Sequence, residues 1–129
     1  MKSQKLKGSP LEDFKKYGKN QRVNELLISD TSAGSGAEVA GDSTITAHYT
    51  GALCVDGTIF QSSHDGPRPL TFTLDEVIEG WQKGLIGMKV GGIRRLTIPS
   101  EMAYGRRRAA ANIPANSDLV FDIELLAVL

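Results

Sequence analysis

The side chains best suited to form a binding site in this sequence are aromatic and aliphatic. The only tryptophan, Trp81, lies in the glycine-rich segment DEVIEGWQKGLIGMKVGG, residues 75–92. At helical spacing, Trp81 shares a face with Val77, Ile78 and Leu85. This pattern alone favours core packing against a sheet. The alternative is a short, glycine-bounded helix whose indole forms the floor of an apolar pocket, which would bind and dehydrate a ligand.

Residues for covalent, phosphate or metal chemistry are sparse. His48 falls on the polar face of a predicted strand and His64 lies in a loop, so we interpret both as structural or solvated. There is no Ser-His-Asp order, no phosphate-binding glycine loop and no metal-ligand cluster in the sequence. The single cysteine, Cys54, is expected to be a small buried side chain. We therefore expect no cofactor and no metal.

The segment around Trp81 is predicted to be a helix. Asp75 is the predicted N-cap, and Glu79 and Lys83 are spaced for an i,i+4 ion pair. Gly80 and Gly84 each cost up to about 1 kcal/mol of helix propensity in a helix interior. Glycine also allows close approach of the backbone to another surface. We infer that this helix packs closely on a neighbouring element and ends at Gly84 or Gly87.

Alternating apolar and polar residues predict five or six strands. In TITAHYT, residues 44–50, Ile45, Ala47 and Tyr49 fall on one face. Asp56-Gly57 is a hairpin turn signal. Further strand-like segments occur at 23–29, 69–74, 94–98 and 119–129. In the last segment, Asp122 and Glu124 fall on the polar face, and the apolar face carries Leu119, Phe121, Ile123 and Leu125. In 69–74, Phe72 alternates inward and is predicted to be core. Strands with one polar face indicate an antiparallel sheet, whose apolar face needs a cover. The prediction is an α+β fold, a curved antiparallel half-barrel around one short α-helix.

Residues 1–21 are predicted to be a basic N-terminal arm or linker before one domain spanning 22–129. Residues 1–22 contain seven Lys and Arg but only two Asp and Glu. We favour a solvated tail over a contact with nucleic acid or anionic lipid. Within the arm, Ser9, Pro10 and Gly18 suggest a short helix over residues 9–17.

The overall composition is that of a globular domain. The chain has 129 residues, of which 40% are hydrophobic, and no apolar run approaches the roughly 18–20 residues that span a bilayer. The N-terminus is basic but lacks the apolar stretch of a signal peptide. For the chain as given we therefore expect a cytoplasmic location and no membrane. An extracytoplasmic location is the alternative if a signal or anchor was removed upstream.

Three ordered blocks carry a family resemblance. They are HYTGAL with DGTIFQSS (48–53 and 56–63), EVIEGWQKGLIGMKVGG (76–92), and AYG, IP and LVFDIELL (103–105, 113–114 and 119–126). Together they resemble the FKBP-type peptidyl-prolyl cis-trans isomerases, the immunophilins that bind tacrolimus and rapamycin. The resemblance runs from about Val23 to the C-terminus. It implies an antiparallel half-barrel around a short helix that begins just after the Val-Ile pair.

The resemblance also implies a function and a site. The function is rotation about X-Pro bonds in protein substrates, which assists folding. The partners are X-Pro segments and macrolides, and we expect a monomer that binds no nucleic acid. Trp81 would form the pocket floor, while the Ile78 N–H and the Tyr104 hydroxyl would hydrogen-bond substrate carbonyls. The implied site residues are Tyr49, Phe60, Gln61, Val77, Ile78, Trp81, Tyr104, Ile113 and Phe121.

Three departures from the family leave a second hypothesis open. Gln61 stands where the family usually has Asp, and Leu70 where many members have an aromatic residue. Arg106–Arg108 are followed by three alanines. The arginines could attract acidic substrate segments, or form a solvated loop. The alternative function is a proline-binding or partner-binding module of the same fold with little turnover.

Overall fold

The computed structural model describes residues 11, 14–18, 20–63, 69–105 and 113–129. Within these ranges the chain forms one α-helix, α1 (Glu79–Gly84), and two short 3-10 turns, Leu74–Glu76 and Ser100–Met102. The predicted α+β class, with one short helix, is confirmed. The strands are β1 (Leu27–Ser32), β2 (Thr44–Leu53), β3 (Ile59–Ser62), β4 (Leu70–Thr73), β5 (Ile93–Ile98) and β6 (Leu119–Val128).

The strands form one antiparallel sheet in the order β1-β5-β6-β2-β3, and β4 also pairs with β2. The two ten-residue strands, β2 and β6, form the centre, with Ile45 opposite Val128 and Leu53 opposite Leu119. The register shifts between Thr46 and Ala47 on β2. A register shift of this kind bends a strand and increases the local twist, which curves the sheet. No helix in the described ranges is long and apolar enough to cross a bilayer.

The predicted alternation places one face of the sheet in the main core. Ile45, Ala47 and Tyr49 of β2 are buried in it, together with Trp81 and Leu85 from the helical segment. The apolar positions of β6 join them, as predicted: Leu119, Phe121, Ile123 and Leu125. The sheet therefore wraps its apolar face over α1.

The opposite face of the sheet carries a second apolar cluster, which the sequence patterns did not predict. Leu11 and residues 14–18, here called the N-terminal strap, contribute its cover. The Tyr17 N–H donates to the Cys54 carbonyl at 2.7 Å, and the Gly18 N–H donates to the Val55 carbonyl at 2.9 Å. The apolar side chains that meet there are Leu11, Phe14, Tyr17, Val23, Ala52, Cys54 and Val120.

The strap corrects two expectations about residues 1–21. The described part of the helix predicted over 9–17 is not helical: Leu11 lies in a turn at φ 62°, and Phe14–Tyr17 have no regular structure. The same residues are not a solvated tail, because Phe14 and Tyr17 stack on each other and pack on the sheet. A helix this short is marginal on its own, so docking decides the conformation. The rest of residues 1–21, except Gly18, Asn20 and Gln21, lies outside the described residues.

Two smaller differences concern strand limits and burial. The strand predicted over 23–29 begins at Leu27, because Val23 instead donates its N–H to Asp118 and packs in the second cluster. Asp122, predicted on the polar face of β6, is only 2% exposed. Its carboxylate accepts two hydrogen bonds from Arg95 and one from the Leu11 N–H of the strap. Burial of this charge is possible because it is fully paired.

The glycines of α1 allow the helix to lie directly on β5. A Cβ on Gly80 would stand 2.6 Å from Ile98 Cγ2, and a Cβ on Gly84 would stand 2.7 Å from Leu96 Cδ2. Both distances are far inside van der Waals contact. The close approach inferred from the sequence is therefore confirmed, and it fixes the height of the helix above the sheet. The predicted Glu79–Lys83 ion pair is also present on the exposed side.

We expect Gly80→Ala to destabilise the protein by about 1–3 kcal/mol, the usual range for overpacking a core. The added methyl group must displace Ile98, and this outweighs the gain of about 1 kcal/mol in helix propensity. Urea unfolding measures the change. Gly41→Ala is the control, because its nearest neighbour would be Ile86 Cδ1 at 4.0 Å. Equal stability of Gly80→Ala and wild type would contradict the close approach.

We expect the Cys54 thiol to resist thiol reagents in the folded protein. It is 1% exposed, and burial raises its pKa to about 12. A chain lacking residues 1–18 should react faster, and each 1.4 kcal/mol of lost local protection gives about tenfold in rate. A chain lacking residues 1–10 keeps the strap and is the control. Labelling at the same rate in both truncated chains would show that the strap does not protect this face.

Candidate functional site

An open cavity of about 320 Å³ lies between α1 and the strands. Three of its described lining residues, Tyr49, Trp81 and Phe121, are buried and form the inner end. The others are partly buried or exposed and form the mouth. The full described lining is Tyr49, Phe60, Gln61, Leu70, Phe72, Glu76, Val77, Ile78, Trp81, Tyr104 and Phe121.

Eight of the nine residues predicted for the site line this cavity. The exception is Ile113, which is absent from the described lining and is buried in the main core. Phe72, predicted to be plain core, lines the cavity instead, and so does Glu76, which sequence reasoning missed. In the sequence, the only indication that Glu76 lines the cavity is its position directly before the Val-Ile pair.

Ring contacts hold the inner end of the cavity in place. Trp81 meets Tyr49 and Phe121 edge to face, each at a centroid distance of 5.2 Å and at 84° and 88°. Phe72 lies 5.2 Å from Trp81 in a tilted arrangement. Phe60 meets Phe121 edge to face at 5.7 Å. Edge-to-face pairs contribute about 0.5–1.5 kcal/mol each beyond burial, so the walls of the cavity are preformed.

Gly51 makes room for two of these rings. A Cβ at this position would stand 2.6 Å from Phe121 Cε2 and 2.8 Å from Phe60 Cζ. The glycine lies on β2 directly opposite Phe121 of β6. In the sequence, this glycine is part of the HYTGAL block, and no local pattern there indicates its role. Its steric role becomes visible only once the two strands are paired in register.

The helix entrance differs from the predicted Asp75 cap. Asp75 lies inside a 3-10 turn, where the Glu76 carboxylate accepts the Thr73 N–H at 3.2 Å. Val77 then adopts an extended conformation, and α1 begins after Ile78, its N-cap. This is the start that the family resemblance implied. Among the described residues, no acceptor pairs with the Ile78 N–H, so this donor is available at the cavity mouth.

Two phenols supply further polar groups. Tyr104 follows the Ser100–Met102 turn, is 37% exposed and lines the mouth. Burial, and secondly the electrostatic influence of Tyr104, raise the pKa of Tyr49 above its ordinary value. The Tyr49 hydroxyl therefore stays protonated at neutral pH and keeps its donor. The Trp81 Nε1–H is buried without a hydrogen-bond partner in the described part of the chain.

His48 has a structural position outside the described lining. Its Nδ1 lies 2.9 Å from Ser63 Oγ, and this oxygen accepts the Tyr49 N–H at 2.7 Å. The contact supports the structural interpretation, because it fixes the backbone of β2 beside the cavity. His64 lies outside the described residues. Within the described ranges, no group of three or more His, Cys, Asp or Glu residues could hold a metal ion.

Two of the three departures from the family, Gln61 and Leu70, lie at the mouth. Gln61 and Leu70 are both exposed and both line the cavity. An amide at position 61 can donate and accept hydrogen bonds but carries no charge. Arg106–Arg108 lie outside the described residues. The arrangement as a whole can dehydrate a small apolar ring at its inner end and hold polar groups at its mouth.

Comparison with known proteins identifies the family. The model of the FKBP-type peptidyl-prolyl cis-trans isomerase family matches residues 36–126. The chain is 50% identical over 108 residues to an FK506-binding protein of Neisseria meningitidis serogroup A, covering 82% of this chain and 98% of that protein. It is 44% identical over 118 residues to an FKBP-type 22 kDa peptidyl-prolyl cis-trans isomerase of Escherichia coli, covering 92% of this chain and 57% of that protein.

The structural comparison agrees. The crystal structure of FkpA from Escherichia coli superposes with a TM-score of 0.74 at 44% sequence identity, covering 80% of this chain and 47% of that one. The family match thus spans well over half of the sequence, and it contains all nine predicted site residues. The chain belongs to the family of FKBP-type peptidyl-prolyl cis-trans isomerases.

Proposed function

We propose that the aromatic cavity catalyses rotation about X-Pro bonds in exposed polypeptide segments, and so assists protein folding. The observation that carries the proposal is the grouping of Tyr49, Trp81 and Phe121 at the inner end of a cavity whose mouth holds the Ile78 N–H and the Tyr104 hydroxyl. A proline ring is small and apolar, and the carbonyls beside it accept hydrogen bonds. The inner rings suit the apolar proline ring, and the two donors at the mouth suit the carbonyls.

The reaction needs no covalent step. Rotation is slow because amide resonance must be broken, with a barrier of ~18–20 kcal/mol. The planar amide is more polar than the twisted one, so an apolar surrounding disfavours the starting state relative to the transition state. Fixed donors that fit the twisted peptide lower the barrier further. Since each ~1.4 kcal/mol is tenfold in rate, about 6 kcal/mol would give ~10⁴-fold.

The proposal assigns a role to individual lining residues. Trp81, Val77, Ile78 and Phe121 seat the proline ring, while other lining aromatics, including Tyr49 and Phe60, form the walls. The Ile78 N–H and the Tyr104 hydroxyl hold substrate carbonyls. Support comes from burial: the inner rings are shielded from water, whereas the two donors lie at the mouth, where peptide carbonyls would remain.

The same cavity would bind macrolides such as tacrolimus or rapamycin. Several relatives of the chain are named FK506-binding proteins. Gln61 is expected to lower the affinity for macrolides. Its amide forms a weaker hydrogen bond with a ligand hydroxyl than the carboxylate that is usual in the family. We propose that the protein acts as a monomer in the cytoplasm.

We expect the protein to accelerate cis–trans exchange in a short X-Pro peptide, measured by NMR exchange or a protease-coupled assay. Tyr104→Phe should lower kcat/KM about fivefold, the equivalent of one hydrogen bond of about 1 kcal/mol. Tyr17→Phe is the matched control, because this phenol belongs to the strap on the opposite face of the sheet. If wild type binds the peptide without accelerating exchange, the chain is a binding module and not an isomerase.

We expect kcat/KM to be flat between about pH 6 and 8. Histidine is the only side chain whose ordinary pKa puts its charge change in this range, and no histidine is among the described lining residues. The Tyr49 pKa is raised from an ordinary value near 10, so this phenol stays neutral throughout. A bell-shaped pH profile would instead indicate acid–base catalysis and contradict the non-covalent mechanism.

A further inference from the structure

Asp118, 8% exposed and directly before β6, joins three segments of the chain. Its Oδ1 accepts the Ser100 N–H at 2.8 Å, and its Oδ2 accepts the Val23 N–H at 2.9 Å. Arg22 adds an ion pair through Nε to Oδ2 at 2.9 Å and through Nη2 to Oδ1 at 3.3 Å. The carboxylate therefore holds the chain before β1, the turn before Tyr104 and the start of β6 together.

Arg22 extends this network to Ser100 and Asn116, which lie before and after Tyr104 in the sequence. Its Nη2 also donates to the Asn116 carbonyl at 2.9 Å and lies 3.4 Å from Ser100 Oγ. In the backbone, the Gly105 N–H donates to the Ser100 carbonyl at 2.8 Å, and the Asn116 N–H donates to the Gly105 carbonyl at 2.7 Å. We call Arg22, Val23, Ser100, Asn116 and Asp118 the Asp118 clamp.

We propose that the Asp118 clamp positions the Tyr104 hydroxyl at the cavity mouth, so that Asp118 acts on the reaction through Tyr104. This inference rests on the proposed function. Neither Asp118 nor any other clamp residue is part of the described cavity lining, so Asp118 is a positioning residue. The backbone on either side of Tyr104 is held by the Ser100 N–H, which donates to Asp118, and by the Gly105 N–H, which donates to the Ser100 carbonyl. The clamp therefore fixes the backbone from which the phenol extends.

The chemistry of Asp118 suits this role. Burial opposes its charge, but the hydrogen bonds from Arg22 and from the Val23 and Ser100 N–H groups outweigh burial and lower its pKa below the ordinary value. A charged carboxylate has acceptor sites for all of these donors at once. Asparagine has the same shape but only one acceptor oxygen. Asp118→Asn therefore leaves Ser100 or Val23 with an unpaired buried N–H and loosens the loop.

A double-mutant cycle between Asp118→Asn and Tyr104→Phe tests the proposal, with kcat and KM measured on an X-Pro peptide. We expect each single variant to lower kcat/KM about fivefold, the equivalent of one hydrogen bond. The kcat/KM of the double variant should be no lower than that of the less active single variant, because both changes remove the same contact. If Asp118→Asn causes the same loss with Phe at position 104, Asp118 is structural only and the proposal is overturned.

Asp122→Asn is the matched control. Asp122 is also buried, also accepts two hydrogen bonds from an arginine, Arg95, and also accepts one backbone N–H, from Leu11 of the strap. Within the described ranges, the hydrogen bonds of Asp122 go to Arg95 and Leu11 and not to the turn that carries Tyr104. Any loss of turnover in Asp122→Asn should be the same with Tyr or Phe at position 104. Should Asp118→Asn fail to fold, Arg22→Gln replaces it in the cycle, since the Arg22 side chain is mostly exposed.

A readout without substrate separates this inference from the proposed function. The NMR signals of the Tyr104 ring in the free protein should shift in Asp118→Asn and stay unchanged in Asp122→Asn. Absence of turnover in wild type would overturn the proposed function, while the ring signals would still report on the clamp. Unchanged Tyr104 signals in Asp118→Asn would overturn the clamp, whatever the turnover of wild type.

Discussion

The contact between α1 and β5 is the constraint on which the cavity depends. Because Gly80 and Gly84 have no side chain, the helix lies directly on Ile98 and Leu96. This height brings Trp81 into edge-to-face contact with Tyr49 and Phe121 from the two central strands. A helix one methyl group further from the sheet would move the indole relative to both rings. The helix propensity lost at two glycines is the cost of a fixed aromatic end to the cavity.

The alternation of side chains on β2 and β6 serves both faces of the sheet. Phe121 points into the cavity, while its neighbours Val120 and Asp122 face the strap on the opposite side. The strap and the cavity therefore lie on opposite faces of the same strand, β6. The same strand is preceded by Asp118, which holds the loop of Tyr104. The strap, Arg22 and Val23 therefore complete a domain whose cavity is formed by residues much later in the sequence.

Much of the fold and of the site could be predicted from the sequence, because the periodic signals are local. The alternation in β2 and β6 placed their inward residues correctly, and the three family blocks led to eight of the lining residues. Local patterns could not show which of several possible hydrogen-bond partners a residue selects. Asp75 has the chemistry of an N-cap, but the Thr73–Glu76 pair closes a separate turn first. Phe72 alternates inward as a core residue would, and only the spatial arrangement leaves it at an opening.

The charged groups were the hardest to predict, because their partners are distant in sequence. Asp122 and Asp118 are each buried and each paired with an arginine. Asp122 also accepts one backbone N–H from another segment, and Asp118 accepts two. In sequence, both are ordinary polar residues near or within a strand. A buried carboxylate without these donors would be strongly destabilising, so each one specifies where its partner segments must lie. Apolar patterning sets the shape of the sheet, and these two carboxylates determine how the strap and the loop of Tyr104 attach to it.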